Sequence, residues 1–196
     1  MGPRLRQTLA WLAVISTCAC LPLALIAAGA GQQAKQPGLP VGTVLPQVTG
    51  EDLTGAKITL PDAAKGRVTL IAFGFSYDSR TPVEAWSEQV RKTFGSTPDF
   101  SWYQVPMVGG FGRLAKPFIM GGMRKQTPTP RNTVVVFGGV GPWKERFAVK
   151  NDALAYLVLL DRSGVVKWVH AGLFAATTAS TLDQQVQALL SPTATP

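Results

Sequence analysis

The run Val68–Phe75, VTLIAFGF, holds only apolar or small side chains. A strand covered on both faces, as in the middle of a parallel sheet, has this composition. Ser76–Arg80 is polar. Thr81-Pro82-Val83-Glu84 then reads as a helix start, with Thr81 as N-cap, Pro82 at the first helical position and Glu84 closing a capping box. Val83, Trp86, Val90 and Phe94 continue one apolar helical face.

The same reading extends along the chain. Short strands are expected around Gly50 and Gly55, in LPQVTGEDLTGAKITLP. Phe100–Val108 (FSWYQVPMV) is rich in aromatic and β-branched residues and predicts a strand. Phe111–Lys125 predicts a helix disturbed by Pro117 and Gly121-Gly122. Asn132–Phe137 predicts a strand and Trp143–Val149 a short helix. Leu154–Leu160 is a buried strand, and Asp161–Gly164 turns the chain into a partner strand, Val165–His170. Ser180 or Thr181 caps a last helix that ends at Leu190. Strands alternating with helices predict an α/β fold with helices on both faces of the sheet, and the late hairpin makes that sheet mixed.

The pattern changes at the N-terminus. Arg4 and Arg6 precede Leu9–Ala30, which carries no charge. Residues 1–30 therefore read as a signal peptide or a membrane anchor. The apolar run is about twenty residues, enough to span a bilayer, which favours the anchor. Basic residues ahead of it place the domain on the extracytoplasmic side, at an inner membrane or in a periplasm if the source is bacterial. Residues 31–44 read as a Gly-, Gln- and Pro-rich linker, 45–190 as one domain and 191–196 as a disordered tail.

Composition excludes several chemistries. The net charge of +8 shrinks once Arg4 and Arg6 are set aside, and no nucleic-acid-reading pattern accompanies it. The only cysteines, Cys18 and Cys20, lie in the apolar leader. The domain thus has no thiol nucleophile and no cysteine metal site, and the single histidine, His170, rules out a histidine cluster. No nucleophile elbow and no phosphate-binding glycine pattern is present. No catalytic residue, metal or cofactor is expected.

Two pieces, GRVTLIAFGFSYDSRTPVEAW and AYLVLLDRSGVVKWVHAG, resemble the redoxin branch of thioredoxin-like proteins. The resemblance implies a thioredoxin-like fold over Leu45–Leu190. The first piece is also similar to copper chaperones of the cytochrome oxidase assembly type, whose paired cysteines match positions near Asp78 and Pro82. Met107, Met120, Met123 and His170 are the soft ligands left for that role. A further resemblance, through SWYQVPMV, KPFIMGGMRKQTP and ERFAVKNDALAYLVLLDRSGVVKWVHAG, is to the mitochondrial ATP synthase assembly factor family named ATP-ten and its bacterial relatives.

The resemblances imply three functions. The first is a non-redox, membrane-tethered assembly factor or chaperone, with subunits of a membrane complex, ATP synthase by resemblance, as partners. Its client face is expected at Tyr77, Asp78, Ser79, Arg80, Tyr156 and His170, where thioredoxin-like relatives hold a thiol substrate. The second is a thiol oxidoreductase or peroxidase relative. The third is a copper-handling assembly protein.

Overall fold

The computed structural model describes residues 38–191, so the leader, the first part of the linker and the end of the tail lie outside it. A hairpin of β1 (Val48–Asp52) and β2 (Lys57–Leu60) leads into β3 (Val68–Gly74) and α1 (Arg80–Phe94). There follow β4 (Phe100–Val108), α2 (Lys116–Gln126), β5 (Val134–Phe137) and α3 (Val140–Arg146). The chain closes with the hairpin β6 (Ala155–Leu160) and β7 (Val166–Gly172), then α4 (Ala176–Leu190).

One seven-stranded sheet runs in the order β2-β1-β5-β4-β3-β6-β7. Strands β3, β4 and β5 are parallel, and every other pairing is antiparallel, so the sheet is mixed as expected. The alternation of side chains on β3 fixes the two layers. Val68, Leu70 and Ala72 pack with Trp86, Val90 and Phe94 of α1 and Leu182 and Val186 of α4. Ile71, Phe73 and Phe75 point the other way, onto Phe147 and Trp143 at α3. Helix α2 lies over a smaller cluster formed by Leu53, Met120 and Val135. Covering both faces of β3 is the physical reason its sequence shows no polar alternation.

Helix α2, expected over Phe111–Lys125, begins only at Lys116, and four further differences from the sequence reading stand out. Helix α1 begins at Arg80, with Ser79 as N-cap, and Glu84 closes no capping box. Its carboxylate accepts a hydrogen bond from Arg80 Nε at 2.8 Å instead. Pro82 therefore sits at the third helical position, still inside the first turn, where no backbone donor is needed. Helix α3 starts at Val140 for the same reason, since Pro142 falls in its first turn. Helix α4 starts at Ala176, which brings Ala179 into the buried stripe with Leu182 and Val186.

The fourth difference is at the linker. Leu39 is buried in the core, the Gly42 N–H donates to the Val166 carbonyl at 2.8 Å, and the Val166 N–H donates to Thr43 at 2.8 Å. Residues 38–44 thus belong to the domain, despite a linker-like composition. At the other end Ser191 caps α4, its N–H and hydroxyl both donating to the Gln187 carbonyl. Among the described residues no helix is long and apolar enough to cross a membrane.

Candidate functional site

The turn between β3 and α1 is closed by two serines. Ser79 Oγ donates to the Ser76 carbonyl at 2.7 Å, and Ser76 Oγ donates to the Asp152 carbonyl at 2.9 Å. The first bond folds the turn on itself, and the second ties it to the loop ahead of β6. The Arg80 N–H donates to the Tyr77 carbonyl at 3.1 Å, and the Val83 N–H to the Ser79 carbonyl at 3.0 Å, which starts the helix. Ser79 is consequently buried, whereas Tyr77, Asp78 and Arg80 are exposed. The structure gives Ser79 a structural task and leaves the other three as surface.

Tyr156 and His170 do not join this turn on one face. Tyr156 is buried on the α3 side of the sheet, edge-on to Phe75 and tilted against Phe147. Its hydroxyl donates to the Asn151 carbonyl at 3.1 Å. His170 lies on the opposite side, stacked on Trp168 and edge-on to Trp86. Burial among these rings holds its imidazole below the ordinary pKa. Of the six residues expected at a client face, Tyr77, Asp78 and Arg80 are exposed at the turn, Ser79 and Tyr156 are buried, and His170 is half-buried on the other side of the sheet, so Tyr156 is corrected to a core residue. Strand alternation explains this: His170 pairs with Leu157, the neighbour of Tyr156, so the two side chains project from opposite faces.

The soft ligands are dispersed too. Met107 is in the α3-side core, Met120 and Met123 are with α2, and His170 is against Trp86. Among the described residues no three His, Cys, Asp or Glu side chains come together to hold a metal ion.

Beside the turn, a groove of about 290 Å³ opens between α1 and α2. Gln104 and Pro106 of β4 form its floor, Val83 one wall, and Phe118, Ile119 and Met123 the other. Ser76, Tyr77, Ser79 and Arg80 close its end. A second hollow of about 210 Å³ shares Glu84, Gln104 and Gln126 with it and continues to Trp102, Pro128 and Thr129. Tyr77 and Phe118, both more than 80% exposed, stand at the rim, and Leu114, in the turn ahead of α2, is exposed as well.

The sequence reading missed this groove, although β4 carries a signal for it. Gln104 and Pro106 occupy alternate positions on the same face of a central strand. A strand packed there by an apolar helix would place aliphatic side chains at both, and proline forfeits a ladder hydrogen bond.

No family model matches the sequence, and no curated protein matches it. Solved structures do. A candidate thiol:disulfide interchange protein DsbE from Chlorobium tepidum is 23% identical, with a TM-score of 0.55 over 78% of this chain and 99% of that one. The fold is thioredoxin-like. The thioredoxin domain of a thiol-disulfide oxidoreductase from Bacteroides vulgatus is 20% identical, with a TM-score of 0.53 over 76% of this chain and 99% of that one. The exposed lipoprotein thioredoxin of Streptococcus pneumoniae is 17% identical, with a TM-score of 0.53 over 74% of this chain and 100% of that one. At these identities the likeness is one of fold.

Proposed function

We propose that this protein is a cysteine-free thioredoxin-like binding module, tethered to a membrane through residues 9–30, that serves as an assembly factor or chaperone for a membrane complex. The observation that carries the reading is the turn itself. Ser76 and Ser79 are spent on the fold, Tyr77 is exposed beside an open apolar groove, and the domain holds no thiol. Thiol-disulfide exchange needs a thiolate as attacking group, so the site retains surface for holding a chain but not the nucleophile for exchanging one. The resemblance to ATP-ten points to the ATP synthase membrane sector as the client. The basic start of the leader points to an extracytoplasmic domain, in keeping with the described surface exposure of the pneumococcal lipoprotein thioredoxin.

The test is affinity capture of the tagged full chain from crosslinked membranes, with and without Arg80→Glu. Arg80 is an exposed i,i+4 partner of Glu84. Reversing its charge replaces an attraction by a repulsion, each worth about 0.2–0.5 kcal/mol, which leaves the fold intact. Loss of specific partners in the variant supports the turn as the client face. Undiminished recovery removes it.

A thiol oxidoreductase is the second reading, favoured by the names of the solved structures that share the fold. Its only thiols are Cys18 and Cys20. Insulin reduction and peroxide consumption by the full chain decide the matter. The binding reading expects neither. Turnover that disappears in the Cys18→Ser, Cys20→Ser chain establishes the thiol reading.

A further inference from the structure

The groove between α1 and α2 offers a ligand no net charge. The charged residues of its lining are Arg80 with Glu84 at 2.8 Å and Arg91 with Glu88 at 2.7 Å, and Lys92, outside the lining, makes a second contact to Glu88 at 3.3 Å. Between them the walls present Val83, Pro106, Phe118, Ile119 and Met123, with the amides of Gln104 and Gln126 on the line where the two hollows meet. An ionic ligand would give up its hydration here and meet only charges that are already paired. A neutral chain gains apolar contact on one side and amide partners for its backbone on the other.

The form of the groove narrows the ligand further. Two adjoining hollows that share three residues make a run longer than one side-chain pocket. The rim aromatics Tyr77 and Phe118 are large apolar groups left in water beside it, as at protein-recognition surfaces. On the α2 wall, a Cβ added to Gly122 would meet nothing within 4 Å. Main chain alone forms the wall there, and a second chain can approach it closely.

We infer that this groove takes an extended, uncharged, aliphatic-rich peptide segment of a partner protein. The inference rests on the binding-module reading and names what the module holds. Side chains of the segment fill the space between Val83, Pro106 and Phe118. Its backbone amides pair with Gln104 and Gln126.

Gly122 and Gly121 give the decisive comparison. Both are open at the Cβ, but only Gly122 lines the groove. Leucine at either position improves helix propensity by a similar amount, so a difference between the two variants reports on the groove. The full chain in phosphatidylcholine nanodiscs is titrated against a fluorescein-labelled, end-blocked peptide, Gly-Ser-Leu-Val-Ala-Leu-Ile-Ser-Gly. A second peptide carries Lys and Glu in place of Val and Ile, and empty nanodiscs correct for lipid uptake. Gly121→Leu binds the neutral peptide like the unaltered chain. Gly122→Leu weakens it about tenfold, and the charged peptide binds about tenfold less well than the neutral one. Phe118→Ser, at a rim residue outside the core, provides a second test and lowers affinity by about fivefold. No binding of the neutral peptide, equal binding by Gly122→Leu and the unaltered chain, or preference for the charged peptide overturns the inference. Should the inference fail while Arg80→Glu still abolishes partner recovery, the binding-module reading stands without this groove. Should Arg80→Glu leave recovery unchanged, the turn falls as client face together with the groove, and should the unaltered chain recover no specific partner, the binding-module reading itself falls.

Discussion

The hydroxyl oxygen of Ser79 stands 2.6 Å from the point where a Cβ on Gly74 would lie. The last residue of β3 and the N-cap of α1 are therefore fitted to each other, and the turn that ends in Tyr77 and Arg80 depends on that fit. Gly74→Ala should expel Ser79 and break its bond to the Ser76 carbonyl, at about 1–3 kcal/mol as an overpacking change. Ser79→Ala should cost about 1 kcal/mol for the lost hydrogen bond. Combined, the two should cost clearly less than their sum, because the second removes the atom the first collides with. Urea unfolding of the four proteins measures this. Strict additivity would show that the two residues do not compete for one space.

Tyr156 provides a test of where the client face ends. Its ring is packed against Phe75 and Phe147, and its hydroxyl reaches only the Asn151 carbonyl among the described residues. Tyr156→Phe keeps the packing and removes one hydrogen bond, so stability should fall by about 0.5–1.5 kcal/mol. Partner recovery in the capture experiment should be unchanged. Selective loss of partners without loss of stability would return Tyr156 to the surface.

His170 should make stability depend on pH. Burial against Trp86 and Trp168 holds its folded pKa below the ordinary value of 6.5. Between those two values the unfolded chain binds the proton and the folded one does not, so stability falls as the pH is lowered through that window. The contribution is fully present above about pH 6.5 and lost towards the folded pKa. Asp183 acts in the opposite sense at lower pH, since desolvation raises its carboxyl and protonation there favours the folded state. Replacing His170 with Gln should flatten the slope of stability that sets in just below about pH 6.5 and leave the slope contributed by Asp183 at lower pH. An undiminished slope in the variant would assign it to other groups. Trp86 and Trp168 supply a fluorescence readout beside the titrating ring.

Local periodicity determined much of this protein. The unbroken apolar run of β3 required cover on two faces, and the stripe Val83, Trp86, Val90 and Phe94 required a helix packed on one of them. The absence of cysteine from the domain is a matter of sequence alone, and it removes thiol exchange at the turn whatever the fold. Those features depend on residues a few positions apart, where spacing translates directly into a face.

Tertiary structure decided what depends on distant residues meeting. Composition read 31–44 as linker, yet Leu39 is buried because Thr43 and Val166 bring that segment onto the sheet. Tyr156 and His170 look equally available in the sequence, and only the pairing of His170 with Leu157 shows that they leave opposite faces. The groove needed Val83, Pro106 and Met123 from three elements to face a common gap. No spacing encodes a gap, because it is defined by side chains that fail to fill it, and that failure exists only once the helices are docked on the sheet.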